Sequence, residues 1–301
     1  MTIFELLKKY GTQQQCIDLL ETARWGDKPI CPYCESDKVS RKTEKNRQSR
    51  WQCSKCQKSY SVTVGTIFHH THLELPYWFA ILNYMLNAKK SLSSYQISRE
   101  IGIRQPTVLS VQNRIREAMA GDQGTLLRGI VEMDETYIGG KPRKSNFRDD
   151  DDGDENKRGR GTKKLPVVGM VERGGKVVAK VMNGVKLGAE TLGNLVTKYV
   201  DVAKSHLMTD DYSGYNRMSV ILPHSVINHS IAFCFNGVHT NTAECFWSLL
   251  KRAWFGSHHH YSDGNAYLYV AEAAYKFNNR KEDDKETFMD MIKNLLKFKR
   301  S

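Results

Sequence analysis

Two C-x-x-C pairs constrain the fold of this chain more than any other feature of its sequence. The pairs are CPYC at 31–34 and CSKC at 53–56, and 18 residues separate them. This spacing is typical of a zinc ribbon, in which each pair supplies two thiolates and the residues between them form a hairpin. Four thiolates complete a tetrahedral shell and leave no position for water, so a structural Zn²⁺ is expected. The predicted ligands are Cys31, Cys34, Cys53 and Cys56.

An excess of basic residues predicts a polyanionic partner. The 301 residues include 45 Lys and Arg against 33 Asp and Glu, which gives a net charge of +12. Residues 1–130 hold 19 basic and 11 acidic side chains, so +8 of that charge lies in the first part of the chain. Nucleic acid is favoured over a membrane surface. The basic side chains around the cysteine pairs lie among Trp51 and Tyr60, which suits contact with DNA, although a solvated charged face is nearly as common.

No stretch of the sequence predicts a membrane span. A span needs about 18 or more consecutive apolar residues, and no such run is present. The first 20 residues carry a charge every few positions, unlike a secretory signal. We therefore expect no membrane partner and a reducing, cytoplasmic compartment. There Cys16, Cys234 and Cys245 are expected to be packed thiols rather than disulfides.

Residues 72–121 predict a helix-turn-helix region. Ser93 with Gln96 forms a capping-box start, Gly102 makes the turn, and Pro106 suits the first position of the next helix. In this motif the second helix of the pair enters the major groove. Helical hairpins with outward arginines are common without DNA binding, and the neighbouring basic ribbon raises the case for DNA. The side chains predicted to face outward onto DNA are Arg104, Gln105, Thr107, Ser110 and Arg114.

The apolar pattern changes after Gly121 from helical to strand-like spacing. Three predicted strands are followed by helices that alternate with strands, which indicates an α/β layer with a mixed sheet. A low-complexity insertion at 144–164, acidic and then basic, is expected to be disordered. The predicted order is a helical cap at 1–27, the zinc ribbon at 28–64, the helix-turn-helix region at 72–121, the α/β domain at 126–285 and a basic C-terminal helix at 286–301.

Three acidic positions are predicted to converge in the α/β domain. Asp134 is expected to end the first strand, Asp210 or Asp211 the strand after the first helix, and Glu244 to lie in the first turn of a later helix. Two carboxylates about 4 Å apart repel by about 4 kcal/mol at an effective dielectric of 20, so a cation is needed. Oxygen ligands suit two Mg²⁺ or Mn²⁺ ions. Lys251 follows Glu244 by seven residues, within about 20° of the same helix face, where it could hold a DNA phosphate or be an ordinary surface lysine.

Each acid also has a structural alternative. Asp134 could cap a turn, with Glu132 or Glu135 as its solvated neighbours. Glu244 lies three residues after Asn241 and could be its reciprocal partner in a helix N-terminal box. The catalytic interpretation therefore depends on the whole set.

The sequence contains four separated blocks of interest, which are DETYIGGK at 134–141, TDDYSGY at 209–215, INHS at 227–230 and HTNTAECFWSLLKRAWFG at 239–256. These blocks resemble those of transposases of insertion sequences of the IS-fifteen-ninety-five group (ISXO type). The resemblance implies an RNase H-like domain behind the ribbon and the helix-turn-helix. Asp134, Asp210 and Glu244 match the metal-binding acids of the family, with Asp211 still the alternative to Asp210, and Lys251 matches its lysine. Lys276 stands where the family pattern has arginine.

The resemblance implies a DNA transposase, a metal-dependent nuclease and strand transferase. Such an enzyme binds the terminal inverted repeats of its element, hydrolyses a phosphodiester with two Mg²⁺ or Mn²⁺ ions, and joins the freed 3′-hydroxyl to target DNA. It implies a homo-oligomer on DNA and a prokaryotic, nucleoid-associated location. Two alternatives are a zinc-ribbon and helix-turn-helix transcription regulator, and a decayed transposase that binds without cutting. The regulator leaves the convergent acids unexplained.

Overall fold

The computed structural model describes residues 1–44, 47–121, 126–139, 164–228 and 239–298. The chain divides into two compact units, one formed by Met1–Asp122 with Lys281–Ser301 and the other by Gln123–Arg280. The predicted insertion, apart from Lys164, lies outside the described residues, as do Cys234 and the end of the INHS block. Among the described residues, no helix combines the length and the apolar character needed to cross a membrane.

Nine α-helices and eight strands lie in the described parts. The α-helices are α1 (Ile3–Tyr10), α2 (Gln13–Trp25), α3 (Leu75–Asn87), α4 (Ser94–Ile101), α5 (Gln105–Gly121), α6 (Ala189–Tyr199), α7 (Asn241–Ala253), α8 (Ala266–Asn278) and α9 (Asp284–Lys297). The strands are β1 (Val39–Glu44), β2 (Arg47–Cys53), β3 (Ser59–Tyr60), β4 (Leu127–Ile138), β5 (Leu165–Glu172), β6 (Val177–Val181), β7 (Val200–Asp210) and β8 (His224–Ile227).

The first unit contains a small antiparallel sheet in the order β1-β2-β3, and helices α1 to α5 with α9. Helix α2 begins at a capping box of Thr12 with Gln15, as the sequence predicts. Helix α4 begins after Ser93, whose side chain accepts from the backbone of Gln96, and ends at Gly102, which is left-handed with φ of 70°. Helices α4 and α5 lie where the sequence predicts a helix-turn-helix hairpin.

The second unit is built on a five-stranded mixed sheet in the order β6-β5-β4-β7-β8. Strands β4, β5 and β6 form an antiparallel meander, whereas β7 and β8 run parallel to β4. This arrangement, with three meandering strands followed by two parallel ones on the other side of the first strand, is the RNase H-like topology that the resemblance implies.

Helices cover both faces of this sheet. On one face, Val167 and Val171 of β5 pack with Phe246 and Leu250 of α7 and with α8. The other face packs against α6. Strand β5 is buried at nearly every position, because it lies between these two layers. The side chains of β4 on the α6 face include Leu127, Val131 and Met133. Alternation along β4 therefore directs Glu132 and Asp134 towards α7.

Candidate active site

Asp134 lies in the middle of the sheet, on the α7 face. The sequence predicts that it ends its strand, and this is wrong, because β4 continues to Ile138 paired with β5. Asp134 stands opposite Gly169 of β5. On the other side of β4, the parallel strand β7 ends at Asp210, so β4 and β7 are not paired beyond this residue.

Asp210 lies beside Asp134 on the neighbouring parallel strand. Glu132 of β4 is paired with Met208 of β7, and two residues further along both strands the same register brings Asp134 next to Asp210. Paired residues of neighbouring strands point to the same face, so both carboxylates lie on the α7 side. Asp211 follows the end of β7 and is exposed. The geometry therefore favours Asp210 over Asp211 as the partner of Asp134.

The carboxylate of Asp134 is hard to ionise in this environment. Burial raises its pKa to about 7, and the negative charges of Glu135 and Asp210 act in the same direction. Two hydrogen bonds act against this rise, from the indole Nε1 of Trp247 at 2.9 Å and from the backbone N–H of Glu135 at 2.8 Å. No ion pair to Asp134 is present within the described ranges. A partly buried carboxylate that has negative neighbours and no ion pair favours the binding of a cation, which would balance its charge.

Glu244 lies in the first turn of α7 and its side chain is exposed. The proposed capping box with Asn241 is not formed, because helix α7 starts after Thr240 and no side chain caps it from that position. Lys251 is also exposed on α7, two turns further along the same helix face. Both side chains are thus accessible to a ligand.

Glu132 and Glu135 are not solvated neighbours of Asp134, contrary to that alternative. The side chain of Glu132 is 0% exposed, and its carboxylate receives hydrogen bonds from the backbone N–H groups of Thr242 at 2.7 Å and Ala243 at 3.0 Å. Glu135 points to the opposite face, where the hydroxyl of buried Tyr215 donates to it at 2.6 Å. Glu132 thereby attaches the start of α7 to the strand that carries Asp134.

Trp247 provides a second attachment between α7 and the sheet. Its indole lies on Gly169, where an added Cβ would come within 2.5 and 2.7 Å of the ring. A residue with a side chain at 169 would displace the indole from the position in which it donates to Asp134. A glycine within an apolar strand often marks such a close approach.

The donor set suits hard divalent cations, since Asp134, Asp210 and Glu244 offer only carboxylate oxygens. Within the described residues, the only group of three or more ligating side chains with atoms all within 4.8 Å is formed by cysteines. The three carboxylates are therefore not gathered around one point. A pair of ions about 4 Å apart, each about 2 Å from its ligands, requires only that its outer ligands lie about 8 Å apart.

The cysteine group forms a candidate zinc site in the first unit. Cys31, Cys34, Cys53 and Cys56 place their sulfur atoms within 4.8 Å of one another. The sulfur atoms of Cys31 and Cys56 lie 3.6 Å apart, as do those of Cys34 and Cys53. Tetrahedral coordination at about 2.3 Å puts sulfur atoms about 3.8 Å apart. The spacing therefore fits the predicted ribbon site.

The aromatic residues of the ribbon are used for packing. Tyr60 is fully buried, and both Tyr60 and Trp51 contact Trp25 of α2, with ring centroids 5.9 and 6.1 Å apart. The indole of Trp51 also donates to Glu21 at 2.8 Å. Tyr60 is therefore not available to DNA, whereas Trp51 is half-buried and carries the guanidinium of Arg41 5.0 Å from its ring centre, so it does lie beside a basic residue.

The five predicted DNA-contacting side chains around the start of α5 differ in exposure. Arg104, Thr107 and Ser110 are exposed, as the sequence predicts. Gln105 is half-buried and donates to the hydroxyl of Ser94 at 2.7 Å. Arg114 is also half-buried, with its guanidinium 5.8 Å from the centre of the Trp78 ring. The outward orientation is wrong for these last two, because each packs against a neighbouring helix.

The free thiols outside the ribbon differ from one another. Cys16 is a packed thiol, as predicted, and burial raises its pKa to about 12. Cys245 is exposed on α7, so the prediction that it is packed is wrong. The neighbouring positions Ala243 and Phe246 face the core, and this rotation leaves Cys245 on the outer side of the helix.

Comparison with known families agrees with this geometry. Residues 126–278, which contain all three acids, match the family model of the ISXO2-like transposase domain. The chain belongs to this transposase family. Residues 11–59 match the model of the transposase zinc-ribbon domain. The resemblance drawn from the sequence blocks is thereby confirmed.

Individual proteins similar to this transposase share low sequence identity with it. It is 28% identical over 266 residues to an uncharacterized protein in the transposable element ISH50 of Halobacterium salinarum, covering 84% of this chain and 86% of that one. Among solved structures it matches a Mos1 strand transfer complex at 13% identity, over 72% of this chain and 74% of that one, with a TM-score of 0.31. A pre-cleavage Mos1 transpososome matches at 13% identity, over 74% and 80%, with a TM-score of 0.24. The fold assignment rests on the strand order and not on these low scores.

Sequence reasoning missed several residues that organise the transposase site, namely Glu132, Gly169, Arg173 and Trp247. One signal was available for Glu132, because it precedes Asp134 by two positions in the same strand and therefore lies on the same face of the sheet. Gly169 also carried a signal as the only glycine inside the run LPVVGMVE. For Trp247 no such signal was available, because the sequence indicates only an apolar residue on one face of an amphipathic helix.

Proposed function

We propose that this transposase binds the terminal inverted repeats of its element and catalyses phosphodiester hydrolysis followed by strand transfer into target DNA. The observation that carries the proposal is the placement of Asp134 beside Asp210 on parallel strands, under the helix that bears Glu244. The raised pKa of Asp134 supports a role in binding cations, since bound cations would balance its charge.

In this proposal Asp134, Asp210 and Glu244 hold two Mg²⁺ or Mn²⁺ ions. The bound ions supply an activated water and charge stabilisation at the phosphate. The carboxylate of Asp134 is oriented by the hydrogen bonds from the indole of Trp247 and from the backbone N–H of Glu135. Lys251 binds a DNA phosphate beside the acids. Hydrolysis leaves a 3′-hydroxyl, which then attacks a target phosphodiester and displaces the 3′-oxygen of the target strand.

The first unit is proposed to bind DNA with its ribbon and its helix-turn-helix hairpin. A structural Zn²⁺ on the four cysteines would fix the ribbon. Arg104, Thr107 and Ser110 are exposed near the start of α5, where a recognition helix reads base edges. For Gln105 and Arg114 a DNA contact requires release of the packing contacts that they make in this structure. The net charge of +12 supports a polyanionic partner.

The test is cleavage of duplex DNA that carries the terminal repeats of the element. Cleavage should require Mg²⁺ or Mn²⁺, and Asp134→Asn, Asp210→Asn and Glu244→Gln should each reduce it by more than about 100-fold, because each removes a ligand from ions that lower the barrier by several kcal/mol. Binding of the same DNA, measured by gel shift, should survive in all three variants.

Asp211→Asn is the matched control, since it changes the exposed acid next to Asp210. It should cleave at the rate of the parent protein. Full activity in Asp210→Asn together with loss in Asp211→Asn would reverse the assignment. Binding without metal-dependent cleavage by the parent protein would instead support the regulator or the decayed transposase.

A further inference from the structure

Glu132 is the most completely buried acid near the proposed site, and the two-ion chemistry gives it no role. Its carboxylate accepts hydrogen bonds from Arg173 Nε at 2.6 Å and from the hydroxyl of Thr242 at 3.0 Å, in addition to the backbone N–H groups of Thr242 and Ala243. A buried carboxylate with this number of donors is specifically accommodated by the fold.

The two backbone donors are the second and third residues of α7. Such N–H groups have no partner inside their own helix, and they form the positive end of the helix dipole. Thr240 provides no side-chain cap. Glu132 supplies the missing acceptor from another element, and so joins the first turn of α7 to strand β4.

Arg173 balances the buried negative charge and extends this connection. It lies in the turn between β5 and β6, and its Nη2 donates to the backbone carbonyl of His239 at 2.9 Å. The ring Nδ1 of His239 lies 3.3 Å from the Glu132 carboxylate. The segment that leads into α7 is therefore held by the same pair of side chains.

We propose that Glu132 is a positioning residue, which holds the start of α7 so that Glu244 lies near Asp134. This inference rests on the proposed function. Glu132 lies two residues before Asp134 on the same face of β4, and Thr242 and Ala243 immediately precede Glu244. Its carboxylate is therefore the short structural connection between the two acids. Without it, the helix start can shift while Asp134 and Asp210 stay in the sheet.

The test compares Glu132→Gln with the parent protein in three measurements made on folded protein well below the melting temperature. Affinity for Mn²⁺ by calorimetry and the rate of DNA cleavage should each fall about 10- to 100-fold, the usual effect of losing a group that orients metal ligands. Hydrogen exchange at the backbone of residues 242–244 should become faster. A role in stability alone would lower the melting temperature and leave the Mn²⁺ affinity of the folded protein unchanged.

Asp201→Asn is the matched control. It removes another carboxylate that pairs with an arginine between two strands of the same sheet, with Arg128 Nε of β4 at 3.1 Å. It should leave Mn²⁺ affinity, cleavage and the exchange of residues 242–244 unchanged. If Glu132→Gln does not fold, Thr242→Val replaces it. Valine loses the hydroxyl contact to Glu132 and keeps the backbone donors, so affinity and cleavage should fall several-fold, whereas Thr242→Ser should match the parent protein.

Mn²⁺ affinity and cleavage within twofold of the parent protein in folded Glu132→Gln would overturn the inference. Unchanged exchange at residues 242–244 would do the same, because the helix start would then not depend on Glu132. If the parent protein neither binds Mn²⁺ nor cleaves DNA, the proposed function has failed. The exchange measurement still decides in that case whether Glu132 holds α7.

Discussion

At the scale of single residues, the site combines one accessible acid with acids that the sheet partly or fully encloses. Glu244 is exposed, Asp134 is half-buried and Glu132 is fully buried. The three carboxylates therefore differ in their exposure to solvent, although all three lie on β4 or in the first turn of α7. Burial without a balancing charge makes the ionisation of Asp134 costly in the folded protein.

This burial predicts a pH dependence of stability in protein without added divalent ions. The pKa of Asp134 is about 7 in the folded protein and about 3.9 in an unfolded chain, so the folded state binds the extra proton between these values. The free energy of unfolding should therefore fall as the pH rises from about 4 to about 7, with no further loss above that. Urea unfolding at several pH values measures it.

Asp134→Asn should lose this part of the slope, because asparagine does not titrate. Asp211→Asn, which changes an exposed acid, should keep the slope of the parent protein. The same slope in the parent protein and in Asp134→Asn would contradict the assignment of a raised pKa to Asp134.

At the scale of elements, the features that could be predicted from the sequence are those determined by the local spacing of apolar residues. The helix-turn-helix hairpin, the meander of three strands and the positions of Asp210 and Glu244 follow from apolar spacing and capping residues. The position of Asp134 within β4 depends on pairing with β5 across an insertion, and local patterns do not report where such pairing ends. The contacts of Asp134 with Trp247 and of Glu132 with Thr242 join residues 113 and 110 positions apart, so they were also not predictable.

The contact between Gly169 and Trp247 is testable by adding one methyl group. In Gly169→Ala the new Cβ would meet the indole at 2.5 Å, so either the strand or the helix must move. The free energy of unfolding should fall by about 1–3 kcal/mol, the usual cost of overpacking a core. Urea unfolding measures the change.

Gly264→Ala serves as the comparison, because an added Cβ there meets nothing within 4 Å. Its stability should stay within about 0.5 kcal/mol of the parent protein. Equal stability of the two variants would show that Trp247 does not lie on Gly169.

At the scale of the whole molecule, the chain consists of two units with different chemistry. Met1–Asp122 with Lys281–Ser301 holds the cysteine site and the helix-turn-helix hairpin, and Gln123–Arg280 holds the carboxylates. The first unit presents thiolates for a soft, structural ion, whereas the second presents oxygen ligands for hard ions. In the proposed function the first unit binds the ends of the element and the second unit cuts the DNA, so both units are needed.

The central claim is that Asp134, Asp210 and Glu244 together hold two divalent ions. Anomalous diffraction from crystals of the protein bound to a terminal-repeat duplex with Mn²⁺ tests it most directly. We expect two Mn²⁺ peaks whose ligands come from Asp134, Asp210 and Glu244. Peaks elsewhere, or a fully occupied site from which Glu244 is turned away, would contradict the account.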